Sequence, residues 1–89
     1  MKEPYLEVTF RRGRVIAAYY YLPRRSAQKS HRTVRIEPGM VVDLGRNGKP
    51  IGIEITAPTL VSRAILNRVL KQFGLPAANP NDLAPIKAA

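Results

Sequence analysis

The chain has 89 residues, a length that suits one domain rather than two. Hydrophobic residues make up 45% and charged residues 24%, which excludes a fully disordered chain. Cysteine is absent, so disulfides and thiolate metal sites are excluded, and with one histidine and six acidic residues we expect no metal and no cofactor. The N-terminus lacks a signal-peptide pattern, and no stretch reaches the roughly 18 apolar residues of a membrane span. We therefore expect a cytoplasmic protein without a membrane partner.

Fifteen Lys and Arg residues against six Asp and Glu residues give the chain a net charge of +9. A charge of this size in a short chain favours a polyanionic partner such as nucleic acid. The alternative is that the charge only keeps the surface solvated. Most of the basic residues occur in the first half of the chain, where the candidate polyanion-binding residues are Arg11, Arg12, Arg14, Arg24, Arg25, Lys29, His31, Arg32 and Arg35.

Five strands are predicted from hydrophobic patterning. Near the N-terminus, Leu6, Val8 and Phe10 alternate with polar residues, which predicts a half-buried strand. Residues 15–22 are all apolar or aromatic, which predicts a central strand covered on both faces. Glycine after the first strand and an Asn-Gly pair at 47–48 each predict a hairpin turn. The predicted strands are 5–10, 14–22, 31–37, 40–44 and 50–55.

A single helix follows the strands. Thr59 is an acceptable N-cap and Gly74 suits the left-handed residue that ends a helix, so we predict a helix over 59–73. The predicted fold class is α+β: a curved antiparallel sheet of four to five strands, joined as hairpins or a meander, with the C-terminal helix packed on one face. This domain covers residues 1–75. Residues 76–89 contain three prolines and no periodic pattern, which predicts a flexible tail.

An apolar stripe covers about half of the helix circumference, more than packing on one small sheet requires. A domain of this size gains only about 3–5 kcal/mol from a single core, and neither a disulfide nor a metal adds to it here. We therefore expect a homo-oligomer, with a dimer favoured, or a protein partner. The candidate interface residues are Val61, Ile65, Leu66, Val69, Leu70 and Phe73.

Residues 36–55 read IEPGMVVDLGRNGKPIGIEI. This stretch resembles a family of small, mostly bacterial proteins known as domain of unknown function 2283, whose members combine a Pro-Gly turn, an apolar strand ending in Asp, an Asp-Gly hairpin and Gly-Ile-Glu-Ile. Residues 18–22 are similar, more weakly, to the family's Ala-Leu-Tyr-Ile strand. The chain departs from the pattern where Ala17 replaces an Asp and where Gly45 and Asn47 replace hairpin acids. The resemblance implies a small module of the same fold.

Candidate catalytic groups are few. His31 as a general base would need an orienting carboxylate, Glu37 or Asp43, and a nucleophile. The neighbouring arginines favour a surface or phosphate-contacting histidine instead. Asp43 and Glu54 could share a proton or a cation across the Asn-Gly hairpin, but salt bridges to arginine are the favoured alternative. The serines that could serve as nucleophiles lie on no recognisable nucleophile turn; they are Ser26, Ser30 and Ser62.

Three consecutive tyrosines, Tyr19, Tyr20 and Tyr21, precede Arg24 and Arg25. Tyrosine rings stack on bases and arginines neutralise phosphates, a pairing that single-strand binders use. Strand residues alternate between faces, so at most Tyr19 and Tyr21 share a surface. Packing in a core or interface is the favoured interpretation of these rings.

The sequence therefore predicts a non-enzymatic interaction module that self-associates or binds a protein partner, with a regulatory or antitoxin-like role. The alternative is a basic nucleic-acid-binding protein that uses an arginine stripe. An enzyme is the remote alternative.

Overall fold

The computed structural model describes residues 3–23 and 29–87. It is an α+β fold with a five-stranded antiparallel sheet, which confirms the predicted class. Two single 3₁₀ turns, Pro58–Leu60 and Pro80–Leu83, accompany the regular elements. These elements are β1 (Tyr5–Arg11), β2 (Arg14–Tyr21), β3 (Arg32–Ile36), β4 (Met40–Leu44), β5 (Pro50–Ile55), α1 (Arg63–Gln72) and α2 (Ala84–Lys87).

The strand order in the sheet is β1-β2-β5-β4-β3, and every neighbouring pair is antiparallel. β1 and β2 form one hairpin, β3 to β5 form a meander, and β5 inserts between β2 and β4. β1 and β3 are thus the two opposite edges of the sheet. Residues at the β1–β2 turn and residues at the start of β3 consequently lie far apart across it.

Two turns use backbone conformations that only certain residues adopt readily. Arg12 (φ 53°) and Gly13 (φ 77°) both have positive φ, the conformation that joins two strands by a two-residue turn. In the second hairpin only Gly48 (φ 80°) is left-handed, and its N–H donates to the carbonyl of Gly45 at 2.9 Å. The side chain of Asn47 accepts a hydrogen bond from the backbone N–H of Lys49 at 3.0 Å. The predicted Asn-Gly hairpin therefore forms, with its asparagine serving as a side-chain acceptor rather than a second left-handed residue.

The core lies on the face of the sheet that α1 covers. Tyr20, Met40, Val42, Ile53 and Ile55 alternate inward from three central strands and are almost completely buried. They form one cluster with the apolar residues of α1. Burial of such side chains stabilises the fold by about 1.5–3 kcal/mol each.

α1 begins later than the sequence predicts. Its N-cap is Ser62, whose hydroxyl oxygen accepts a hydrogen bond from the backbone N–H of Ile65 at 3.2 Å, whereas Thr59 lies within the preceding 3₁₀ turn. Between them Val61 is extended, so the helix cannot continue through it. The helix ends as predicted: Gly74 is left-handed (φ 72°), and the N–H of Leu75 donates to the carbonyl of Leu70 at 2.9 Å.

The segment after Gly74 packs on the core, in contrast to the flexible tail that its prolines predict. Ala78 and Leu83 are buried, and Ile86 packs against the same cluster. The backbone N–H of Ala78 donates to Oδ1 of Asn67 on α1 at 2.8 Å. Pro80 opens the second 3₁₀ turn, where its missing N–H costs no hydrogen bond. The prolines thus shape a folded segment.

The apolar stripe of α1 is core surface, which corrects its assignment as an interface with another subunit. Val61, Leu66, Val69 and Leu70 are buried within the molecule. The two remaining candidates, Ile65 and Phe73, are partly buried against the same cluster. The stripe is wide because it contacts the sheet on one side and the C-terminal segment on the other: Ile55, Val61, Leu66, Leu83 and Ile86 line one shared crevice.

Candidate nucleic-acid interface

Three of the predicted polyanion-binding residues meet at the tip of the β1–β2 hairpin. Arg11, Arg12 and Arg14 are all exposed, and Arg11 is paired directly across the ladder from Arg14. Like charges in directly opposed positions of a sheet repel each other. A bound anion would relieve that repulsion, so the tip is electrostatically suited to phosphate.

An open surface depression lies at this end of the hairpin. Its lining combines Arg11, Arg12 and Arg14 with the apolar side chain of Ile16. The depression therefore combines cationic groups, which attract an anion, with apolar surface, which favours a flat, weakly hydrated ligand group.

Phe10 and Ile16 are exposed, although simple alternation along their strands would place both on the core face. The fractional exposure is 55% for Phe10 and 45% for Ile16. The ladder shifts register between Thr9 and Phe10, so that Thr9 faces Ala17 while Phe10 faces Val15 and leaves Ile16 unpaired. Such a β-bulge bends the strand and re-aims its side chains. We call Phe10, Arg11, Arg12, Arg14 and Ile16 the hairpin site.

The bulge overturns two expectations from the sequence. Phe10 does not share the burial of Leu6 and Val8, and β2 is not covered on both faces, since Ile16 is exposed. One extra residue in a ladder has no compositional signature. The available signal was the position of a phenylalanine directly before an Arg-Arg-Gly-Arg turn.

The remaining described basic candidates lie in a separate group. Arg32 is paired with Leu44, and the N–H of His31 donates to the carbonyl of Leu44 at 2.8 Å, which places both beside the β4–β5 turn. That turn is at the end of the sheet opposite the β1–β2 turn, and β3 is the opposite edge. The candidates on this edge are Lys29, His31, Arg32 and Arg35, of which Arg35 pairs with Val41 towards the other end of β3. The β4–β5 turn adds the exposed Arg46 and Lys49. Arg24 and Arg25 lie outside the described residues.

The outer face of the sheet carries a row of tyrosines rather than an open stacking platform. Tyr5 and Tyr21 stack with ring centroids 4.6 Å apart, and Tyr19 tilts against Tyr21 at the same distance. The hydroxyl of Tyr19 donates to Oδ2 of Asp43 at 2.5 Å, and the hydroxyl of Tyr21 donates to Oε1 of Glu7 at 3.2 Å. These rings serve packing and hydrogen bonding within the molecule.

Carboxylates make this outer face unsuitable for phosphate. Asp43 and Glu54 lie on it: Asp43 pairs with Gly52, and Glu54 pairs with Tyr19 on one side and Val41 on the other. Asp43 bonds a tyrosine instead of the arginines expected as its partners. A phosphate chain would meet negative charge here, so the hairpin site is the more favourable surface.

Tyr20 points the other way, into the core, with 1% of its surface exposed. Burial raises the pKa of its hydroxyl, and the negative charge of Asp82 raises it further. The three consecutive tyrosines are therefore divided between two faces, as strand alternation predicts.

The part of the chain that the structure describes brings together few side chains for catalysis or metal binding. Residues 3–23 and 29–87 contain no group of three or more His, Asp or Glu side chains able to hold a metal ion. His31 is exposed at the start of β3. Over the same residues, no helix has the length and apolar character needed to span a bilayer.

Comparisons with protein-family models, curated proteins and solved structures find no match to this chain. The resemblance to domain of unknown function 2283 consequently stays a prediction from residues 36–55 and 18–22.

Proposed function

We propose that this protein is a non-enzymatic nucleic-acid-binding module and that the hairpin site contacts the phosphate backbone. The observation that carries the proposal is the juxtaposition of Arg11, Arg12 and Arg14 around one open depression. Arginine binds phosphate through charge-assisted, often bidentate hydrogen bonds, and contacts of this kind supply most of the affinity in non-specific binding. The net charge of +9 adds long-range attraction.

The proposal is tested by separating the hairpin site from net charge. In the hairpin variant, Arg11→Gln, Arg12→Asn and Arg14→Gln remove three charges, and asparagine is chosen at 12 because it tolerates positive φ. The matched control changes Arg32→Gln, Arg35→Gln and Arg46→Asn, so that both variants fall from +9 to a net charge of +6. Binding of a fluorescently labelled oligonucleotide is followed by anisotropy at low salt.

We expect the hairpin variant to lose at least about tenfold more affinity than the control, because each charged hydrogen bond contributes roughly 1.5–3 kcal/mol. Circular dichroism checks that both variants remain folded, as exposed substitutions should. Equal losses in the two variants would show that net charge alone drives binding. No binding by the unmodified protein would end the proposal.

Self-association is a second candidate, supported by the outer face of the sheet. That face holds the exposed ring of Tyr5 and half-buried residues including Tyr21 and Val41, while α1 packs on the other face. Light scattering at increasing protein concentration tests it. A dimer that Tyr5→Ser weakens would support this candidate, whereas a constant monomer mass at all concentrations would contradict it.

A further inference from the structure

We infer that the hairpin site takes single-stranded rather than duplex nucleic acid, with an unstacked base seated against Phe10 and Ile16. This inference rests on the proposed function and adds the class of ligand. It concerns the two apolar side chains, whereas the proposed function concerns the three arginines.

The apolar exposure at this site is unusual for its position. Phe10 and Ile16 are about half exposed; Ile16 lines the depression with the three arginines, and Phe10 directly precedes Arg11 in β1. Removing apolar surface from water is favourable, so a ligand that covers both side chains gains affinity from their burial. Phosphate groups alone would leave the area uncovered.

An undistorted duplex offers little apolar surface to a hairpin that contacts its backbone, since apolar contact with its bases requires entry into a groove or unstacking of a base step. Its bases are stacked inside, and the surface that approaches a hairpin consists mainly of phosphate and sugar. In a single strand the bases can turn outward, stack on aromatic rings or guanidinium planes, and still leave the backbone to the arginines. Phe10 beside Arg11, with Ile16 in the depression, matches that division between base and backbone.

A lipid surface is the other ligand that combines phosphate with apolar groups. A hairpin that enters a bilayer needs apolar residues at its tip, because the tip inserts first. Here the tip is Arg12-Gly13, while Phe10 and Ile16 lie behind it along the strands. The arrangement favours nucleic acid over a membrane.

The experiment compares a mixed-sequence single strand with the same sequence as a duplex at one salt concentration. We expect the unmodified protein to bind the single strand more tightly. Phe10→Ala should weaken single-strand binding roughly 5- to 150-fold, the range measured for loss of one stacked base, and leave duplex binding unchanged. The separate variant Phe10→Tyr should retain most of the affinity of the unmodified protein, because tyrosine keeps the aromatic ring.

Leu60→Ala is the matched control, since Leu60 is 57% exposed and belongs to the 3₁₀ turn Pro58–Leu60 rather than to the β1–β2 hairpin. It should change neither affinity. Equal affinity for single strand and duplex, with no effect of Phe10→Ala, would overturn this inference while the arginine variants still test the proposed function. Failure to bind either oligonucleotide would overturn both. Phe10-dependent binding to phosphatidylserine vesicles without oligonucleotide binding would also overturn both, in favour of a lipid surface.

Discussion

Gly52 on β5 leaves room for the ring of Tyr19, which lies across the position where a side chain would begin. A Cβ at residue 52 would stand 2.2 Å from the hydroxyl of Tyr19 and 2.3–2.4 Å from its ring carbons. The same hydroxyl donates to Asp43. A close backbone approach of this kind is a common reason for glycine within a strand.

We predict that Gly52→Ala destabilises the protein by about 1–3 kcal/mol, because the ring must move and its hydrogen bond to Asp43 is strained. Urea denaturation measures the change. In a Tyr19→Ala background the clash disappears, and alanine should then be neutral or stabilising by up to about 1 kcal/mol. The same loss in both backgrounds would contradict the contact.

Tyr20 makes the stability of the protein depend on pH in the alkaline range. Its pKa in the folded state is raised, so its contribution to stability is complete below the ordinary tyrosine pKa of about 10 and is lost as pH rises toward the folded-state value. The unfolded chain ionises first in that window, which pulls the equilibrium toward unfolding.

We predict that Tyr20→Phe lowers the slope of unfolding free energy against pH above about pH 10. Tyr5→Phe, at an exposed ring, is the control and should keep the original slope. An identical slope in all three proteins would show that burial of the Tyr20 hydroxyl has no energetic consequence.

Ser62 and Thr59 are both suitable N-cap residues by type, which explains why the start of α1 predicted from the sequence is wrong. Between these two residues Val61 is extended and buried in the core, so the helix begins after it, at the cap Ser62. This depends on tertiary packing and not on residue type. We predict that Ser62→Ala costs about 0.5–2 kcal/mol, because the N–H of Ile65 loses its acceptor.

Thr59→Ala is the matched control for this helix start. Its exposed side chain should change stability by less than about 0.5 kcal/mol in the same thermal or urea measurement. The reverse order of effects would favour the helix start that the sequence predicts.

The C-terminal segment is a structural element in its own right. Leu83 is buried against α1, whereas Asn81 in the same 3₁₀ turn is exposed. We predict that Leu83→Ala costs about 2–5 kcal/mol of unfolding free energy and that Asn81→Ala costs less than about 0.5 kcal/mol. Two equally small effects would return the segment to the flexible tail expected from its prolines.

Strands were the most predictable elements, because alternation of apolar residues specifies both their limits and their inner face. β4 and β5 begin and end where the pattern predicts. β1 and β2 each differ from the prediction by one residue at one end, and β3 differs by one residue at both ends. The sequence could not predict the bulge at Phe10 or the packing of Ala78, Leu83 and Ile86. A bulge is one unpaired residue, and three apolar residues without a regular spacing show no period.

The candidate site was predicted only in part. Charge identifies the arginines of the β1–β2 turn, but the sequence predicts one long basic stripe. Strand order separates Arg11, Arg12 and Arg14 from Lys29, His31, Arg32 and Arg35, because β1 and β3 are opposite edges. The order depends on long-range pairing of β5 with β2, which no local pattern reveals.

At the scale of the whole molecule, the width of the α1 stripe predicts a second subunit or a protein partner. The structure covers it from both sides within one chain, so the small size of the domain no longer requires an interface on that helix. Phe10 and Ile16 of the cationic β1–β2 hairpin are two of the four large hydrophobic side chains that the described residues leave exposed; the others are Tyr5 and Leu60.

The most direct test of the account is the salt dependence of binding to a single-stranded oligonucleotide. Each phosphate contact to a single strand contributes about 0.7 to the slope of log K against log salt concentration. If Arg11, Arg12 and Arg14 each bind a phosphate, the slope of the hairpin variant should be shallower by about 2. The matched control at Arg32, Arg35 and Arg46 should keep nearly the original slope. Slopes that fall equally in both variants would contradict a localised hairpin site.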